Sequence, residues 1–313
     1  MKYDIVCSTK NLSTEEWLKI RTLGIGGSDA GIIAGCNPYR SIFELWQEKR
    51  GEIPVREEES EVIHFGKVLE DVVRKEFIQR TGLMVRKKNS ILRSKEYPFM
   101  IADLDGVVSE FDGTYSIFEA KTAIEFKNND WKNGEIPKAY QLQVQHYLAV
   151  TGFQKAYIAV LVGGNKFYWT EVYRDEQLIK MLVSMESHFW HCVREGEEPD
   201  VDASKATSLY LGAKYNNAKV GSVIDLDEQM LSAIEKYEQI KIELDSLTEQ
   251  KRLVENQLKS ALAENEAGRV GGHIVKWKQV VQTRIDSSKL KEKHKDIYDD
   301  CKKEVTYRKF SVA

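Results

Sequence analysis

Residues 101–108, IADLDGVV, and residues 116–123, SIFEAKTA, decide how this chain is read. The first belongs to a strand expected over 100–109, the second to one expected over 115–122. Residues two apart in a strand share a face, so Glu119 and Lys121 project together with the Ala120 carbonyl between them. Pairing of the two strands brings Asp105 toward Glu119. Two carboxylates and a carbonyl make a hard oxygen site suited to Mg2+, which keeps several waters. A neighbouring Lys can orient or help deprotonate one of those waters. The metal lowers the water's pKa and neutralises charge building on phosphorus. The chemistry implied is metal-dependent phosphodiester hydrolysis. A solvated strand face of alternating charge fits the same pattern. Asp103 lies two residues before Asp105, on the same expected face, and periodicity does not choose between them as the ligand.

Three further stretches follow outward from this pair. Residues 21–35, RTLGIGGSDAGIIAG, fit no dinucleotide-type glycine spacing, and no strand clearly precedes them. They read as a tight turn feeding a helix capped by Ser28. Free N–H groups at a helix start, a hydroxyl and Arg21 nearby make a corner for a phosphate, or an ordinary capped turn. Residues 61–80 carry apolar positions at Val62, Phe65, Leu69, Val72 or Val73, and Phe77, an amphipathic helix stopped by Thr81-Gly82. Glu70 sits on it, as a ligand or a solvated acid. In 139–150, AYQLQVQHYLAV, Tyr140, Gln143 and Tyr147 fall on one helical face, putting polar groups where burial is expected. Short helices over 14–22, 28–34 and 41–49, strands over 83–86, 90–93, 156–162 and 166–173, and helices over 136–150 and 175–194 complete a mixed sheet with helices packed on it.

The 313 residues include 46 Lys and Arg against 49 Asp and Glu, a net charge of −3, which excludes a strongly basic protein that coats nucleic acid. Contact with nucleic acid must then come from a local basic patch or from metal ions. No run of about 18 apolar residues marks a membrane span, and the opening MKYDIVCSTKNLSTEEW has no signal-peptide pattern. Cys7, Cys36, Cys192 and Cys301 are scattered, so a disulfide framework, a zinc site or an iron–sulfur cluster is not expected, and the chain reads as cytoplasmic. Periodicity fades over 196–221, a linker between a first domain over 1–210 and a second region over 225–313. Tyr237, Ile240, Leu244, Leu247, Val254, Leu258 and Ala261 alternate three and four apart, with Lys251 interrupting, in a coiled-coil-like helix over 226–266. Residues 225–269 carry net −5 and residues 270–313 net +5. The latter read as a strand or hairpin over 273–285, a short helix and a final strand over 305–313.

Taken in order, W-x3-R-x2-G-I-G-G-S-D-A (17–30), F-G-K-x2-E (65–70), L-D-G-x12-E-A-K (104–121) and Y-x2-Q-V-Q-x-Y (140–147) resemble the YqaJ-like viral recombinase family, which includes the phage lambda exonuclease. The resemblance covers about residues 13–195. It implies a restriction-endonuclease-like α/β fold with the PD-(D/E)xK signature, a mixed central sheet flanked by helices, followed here by a long helix and a small α+β extension. It implies a Mg2+-dependent deoxyribonuclease, with Mn2+ as a substitute, working through two metals. Such an enzyme digests linear double-stranded DNA processively from 5′ to 3′. It leaves 3′ overhangs for a single-strand annealing recombinase, and assembles as a ring-shaped trimer in the cytoplasm of a bacterial host of a phage or prophage. By position, Asp105, Glu119, the Ala120 carbonyl and Glu70 would serve the metals. Lys121 would hold the attacking water and Gln143 would reach into the active site. Arg21 and Ser28, with Lys127, would hold the 5′ phosphate, and Asp103, Tyr140 and Tyr147 would be auxiliary. Leu104 stands where the signature has proline. An endonuclease or single-strand-specific nuclease of the same fold is the alternative, as is a non-catalytic module that binds DNA ends or a partner. The basic C-terminal segment is read either as DNA backbone contact, with Trp277 stacking, or as a packed subdomain with a solvated face. The acidic helix pairs with another protomer or folds back on the core.

Overall fold

The computed structural model describes residues 2–55 and 60–312, which divide into two compact units, Met1–Lys214 and Tyr215–Ala313. The first begins with strand β1 (Tyr3–Ser8) and helices α1 (Thr14–Arg21), α2 (Gly27–Ile33), α3 (Ile42–Arg50) and α4 (Glu61–Thr81). Short strands β2 (Met84–Arg86), β3 (Ser90–Ser94), β4 (Ile101–Asp103) and β5 (Gly106–Ser109) lead to the long strand β6 (Tyr115–Ala123). Two 3-10 turns, Glu125–Asp130 and Lys132–Gly134, precede helix α5 (Lys138–Thr151), the pair β7 (Lys155–Val162) and β8 (Lys166–Tyr173), and helices α6 (Glu176–Glu195) and α7 (Lys205–Lys214).

The helix starts follow from local chemistry. Ser13 and Ser41 each accept from a backbone N–H three residues on, while Glu16 and Glu44 reach back to the cap, so α1 and α3 open with reciprocal capping. Gly82 ends α4 at a φ of 72°, in the left-handed region where glycine is unstrained. At α2 the expected cap is corrected. The cap is Gly26, whose N–H donates to Asp29 Oδ2 at 2.9 Å, and Ser28 sits inside the first turn.

Strands β2-β5-β6-β7-β8 form a five-stranded sheet in which only β6 and β7 are parallel. A parallel pair needs a crossover, supplied by α5. Alternation along β6 divides the core between two faces. Ile117 joins Val144 and Leu148 of α5 on one side; Phe118 joins Val73 and Phe77 of α4 and Tyr157 on the other. This is the expected mixed sheet flanked by helices. Strands β1-β3-β4 make a separate antiparallel sheet.

The single strand expected over 100–109 is therefore two strands in two sheets. Its first half pairs with β3 and its second with β2 and β6, and the break falls at Leu104-Asp105. The buried Leu104 side chain pins the crossing to the core. Strand β1 and helix α7 were not expected. The stacking of Phe43 on Tyr210, with centroids 5.1 Å apart, draws α7 onto the unit out of what reads as linker.

In the second unit, helix α8 (Met230–Leu262) carries the heptad seam, whose Leu244, Leu247 and Val254 are exposed. The expected strand or hairpin over 273–285 is only β10 (His273–Lys276), folded back on β9 (Ala267–Val270) through Gly271-Gly272 at φ of 52° and 81°. Helices α9 (Ser287–Lys293) and α10 (Lys295–Cys301) follow. Residues 277–285 and 302–312 form no strand. Among the described residues no helix is long and apolar enough to cross a membrane, and all four cysteines are free thiols.

Candidate active site

Strand β6 outruns its neighbour β5, whose first residue, Gly106, pairs with Phe118. Beyond that rung the Ala120 N–H has no ladder partner on this side and donates instead to Asp105 Oδ2 at 2.8 Å. The gap left where β4 and β5 part company is thus filled by a carboxylate, and the bond fixes it beside β6. Glu119 and Lys121 point to the α5 side of the sheet. Glu119 Oε1 accepts from Lys121 Nζ at 2.7 Å and from Gln143 Nε2 at 2.7 Å. The Gln143 Oε1 accepts from Lys121 Nζ at 3.1 Å, and its Nε2 also donates to the Tyr147 hydroxyl at 3.1 Å. The Lys121 ammonium lies 4.7 Å from the Tyr140 ring centroid, and that ring stacks on Trp131. Tyr140, Gln143 and Tyr147, the polar residues on one face of α5, are accounted for: they hold the Glu119–Lys121 pair.

Electrostatics set this cluster apart. Burial pushes the Asp105 carboxyl up, the Glu119 charge adds to it, and the result is about 7. Burial likewise raises Glu119. Burial works against the Lys121 charge, but the Glu119 and Asp105 carboxylates outweigh it and hold that ammonium above its ordinary value. Glu119 Oε2 is buried with no hydrogen-bond partner, and an orphaned buried oxygen of this kind costs about 1–3 kcal/mol. Among the described residues no three acidic, imidazole or thiol side chains close around one point. The Asp105 and Glu119 carboxylates could hold a cation here, and Mg2+, which takes one or two carboxylates plus waters and phosphate oxygens, fits such a pair.

The cluster opens into a cleft of about 350 Å³ lined by Glu70, Asp103, Asp105, Glu119, Gln143 and Tyr147, and also by Arg21, Ser28, Gly26 and Gly27. Glu70 comes from α4; burial and the Asp105 charge raise it, while Lys87 Nζ lies 3.4 Å from its Oε1. Arg21 Nη2 donates to Ser28 Oγ at 2.7 Å and to Asp29 Oδ1 at 3.2 Å. Asp103 does not share a strand face with Asp105, since Asp103 ends β4 while Asp105 lies in the break between β4 and β5. Its Oδ2 accepts from Trp17 Nε1 at 2.9 Å, and burial raises it. Lys127 does not line the cleft. Strand β6 ends at Ala123, and the following 3-10 turn carries Lys127 to an exposed pairing with Asp130 at 3.6 Å.

The profile of the YqaJ-like viral recombinase domain matches residues 16–154, the stretch that supplies every residue of this cleft except Thr9. An uncharacterized protein YqaJ from Bacillus subtilis (strain 168) is 42% identical over 312 residues, covering 99% of this chain and 97% of that protein. The chain belongs to the YqaJ-like viral recombinase family. Among solved structures it is similar to an alkaline exonuclease from Laribacter hongkongensis, with a TM-score of 0.48 and 18% identity over 65% of this chain and all of the other. A phage-related exonuclease from Haemophilus somnus 129PT gives a TM-score of 0.42 and 14% identity over 58% of this chain and all of the other.

Several cleft residues were missed in the sequence. Lys87, Lys88 and Asn89 come from the β2–β3 crossing and Thr9 from the end of β1, while Trp17 of α1, which opens the first motif, was given no role there. The signal for the first three was the run RKKN at 86–89, three cations at a strand end. Nothing local marked Thr9.

Proposed function

We propose that this chain is a Mg2+-dependent deoxyribonuclease that digests linear double-stranded DNA from 5′ to 3′ and leaves 3′ single strands for an annealing recombinase. The observation that carries the reading is the orphaned Glu119 oxygen beside the raised Asp105 carboxyl, in the cleft that also holds Arg21 and Ser28. Asp105, Glu119, the Ala120 carbonyl and Glu70 serve the metals, and Mn2+ substitutes. Mg2+ held there would supply a lowered water pKa and neutralisation of charge on the phosphate. Lys121, fixed between Glu119 and Gln143, has one N–H left with which it would orient an attacking water. Arg21 and Ser28 hold the 5′ phosphate by a guanidinium and a hydroxyl already aligned with each other. Tyr147 keeps Gln143 in place. The net charge of −3 suits an enzyme that slides, because a uniformly basic surface holds DNA tightly and without selectivity. A homotrimeric ring around the duplex accounts for processivity, and light scattering after size exclusion tests it.

The decisive experiment incubates the full chain and Mg2+ with linear duplex, closed circular duplex and single strands. Release of nucleotides from the linear duplex alone, faster with a 5′ phosphate, is expected. Cutting of the circle would instead make it an endonuclease. Glu119→Ala and Lys121→Ala should each lower the rate by about 10^3-fold or more with the fold intact. Full activity in both rejects the assignment.

A further inference from the structure

The cleft has a basic border that the chemistry above leaves without a role. The chain passes between the five-stranded and three-stranded sheets twice, side by side. Arg86 pairs with Val107 on the last rung of one sheet, and Ile91 pairs with Asp103 on the first rung of the other. Between these rungs one crossing carries Leu104-Asp105 and the other carries Lys87-Lys88-Asn89, and both line the same cleft. The antiparallel pairing that places the Asp105 carboxylate at the seam therefore places two ammonium groups there as well.

The basic crossing is held in place. The Thr9 N–H donates to the Asn89 carbonyl at 3.1 Å, and the Ser8 hydroxyl donates to it at 3.4 Å, so the end of β1 ties it down. Lys88 Nζ lies 5.8 Å from the Tyr3 ring centroid. Lys87 Nζ lies 2.8 Å from Asp71 Oδ1 and 3.4 Å from Glu70 Oε1. The Lys87 side chain is 40% exposed and that of Asp71 is 49% exposed, so this pairing sits in water at the rim. An ion pair this exposed is only weakly held. A backbone phosphate entering the cleft offers Lys87 a stronger partner, because neutralising it also releases condensed counterions.

We propose that Lys87 and Lys88 form a second phosphate-holding point in this cleft, distinct from the Arg21–Ser28 corner, which takes a backbone phosphate of the bound duplex. Lys87 leaves Asp71 and Glu70 for that phosphate, which frees Glu70 as DNA arrives. The inference rests on the nuclease reading and adds to it the grip on DNA beyond the terminal phosphate.

The test measures binding without turnover, by fluorescence anisotropy of a 5′-phosphorylated duplex on the full chain with Ca2+ in place of Mg2+, across a salt series. The doubly substituted Lys87→Ala, Lys88→Ala chain should bind about tenfold more weakly. Its plot of log affinity against log salt should be flatter by about 0.9 for each phosphate it no longer neutralises. Lys87→Arg with Lys88→Arg should keep both affinity and slope. Asp71→Asn, which releases Lys87, should bind at least as tightly as the wild type. Unchanged affinity in the double alanine chain overturns the inference and leaves the nuclease reading standing. Weaker binding with an unchanged salt slope overturns it too, because it marks disturbed packing rather than a phosphate let go. A wild-type chain that binds no duplex overturns both.

Discussion

Two buried clusters in the first unit are built from similar parts, an acid paired with a lysine, and they are finished differently. Around Asp29 every group is matched. Its Oδ1 takes Arg21, its Oδ2 takes the Gly26 N–H and Lys49 Nζ at 2.7 Å, and Lys49 donates onward to the Arg21 and Gly24 carbonyls at 2.7 Å each. Burial works against the Asp29 charge, but Lys49 and Arg21 hold its carboxyl well below the usual carboxylate range. Around Glu119 the count does not close. One oxygen takes Lys121 and Gln143, the other takes nothing, and the nearby Asp105 is pushed up to about 7. A closed set of charges is scaffold: it fastens α2 to α3 beside Arg21 and Ser28. An open set is one that a bound cation would complete. The distinction lies in the hydrogen-bond count, since both clusters are buried and both pair an acid with a lysine.

The strongest way to break this comparison is to exchange the consequences. Asp29→Ala strands the Lys49 ammonium among carbonyls. Breaking a buried pair costs about 3–5 kcal/mol, so the melting temperature should fall by about 10 °C, or the chain should fail to fold. Glu119→Ala removes a carboxylate whose burial is only half compensated, so the melting temperature should hold while nuclease activity disappears. Scanning calorimetry on both variants decides it. A Glu119→Ala chain that melts as early as Asp29→Ala would make the catalytic cluster scaffold as well.

The next effect is smaller and runs through pH. The Asp105 carboxyl is raised from 3.8 to about 7 in the folded chain. The folded state therefore holds a proton that the unfolded chain releases near pH 4. Stability from this group is complete below about pH 4 and is lost as pH rises through about 7. Partial contact with water limits the loss to on the order of 2 kcal/mol. In EDTA, Asp105→Asn should flatten the fall in melting temperature between pH 5 and 8 and melt later than the wild type at pH 8. Adding Mg2+ should reverse the order, because the ion stabilises only the ionised carboxylate, and its effect on the wild type should grow from pH 6 to 8. Identical pH profiles for the two chains would show that Asp105 is not strained.

Much of the site was legible because its spacing is local. The period of two on β6 aligns Glu119 with Lys121, and the helical period on α5 aligns Tyr140, Gln143 and Tyr147. The break between β4 and β5 was not legible. Residues 101–109 alternate well enough for one strand, and only the competing partners, β3 for one half and β2 with β6 for the other, pull them apart. The same nonlocality hid β1, whose partner β3 lies more than eighty residues away, and the Asp29–Lys49 pair, twenty residues apart on different helices. In the other direction, 305–312 has strand-like alternation but no neighbour in register, so the pattern alone builds nothing.

The smallest expected effect separates Arg21 from Lys127. Both were assigned to the 5′ phosphate by position, yet Arg21 lines the cleft with its guanidinium on Ser28 Oγ, while Lys127 sits on an exposed turn with Asp130. Arg21→Ala should erase most of the preference for a 5′-phosphorylated end over a 5′-hydroxyl end. It should cost less stability than Asp29→Ala, because Lys49 still neutralises the buried acid. Lys127→Ala should change that preference by less than about twofold, the scale of an exposed ion pair. The ratio of initial rates on the two ends, measured for each variant, reads both at once. Should Lys127→Ala match Arg21→Ala, the turn over 125–130 must close on the cleft when DNA binds, and the phosphate corner would be a second open cluster completed only by its ligand.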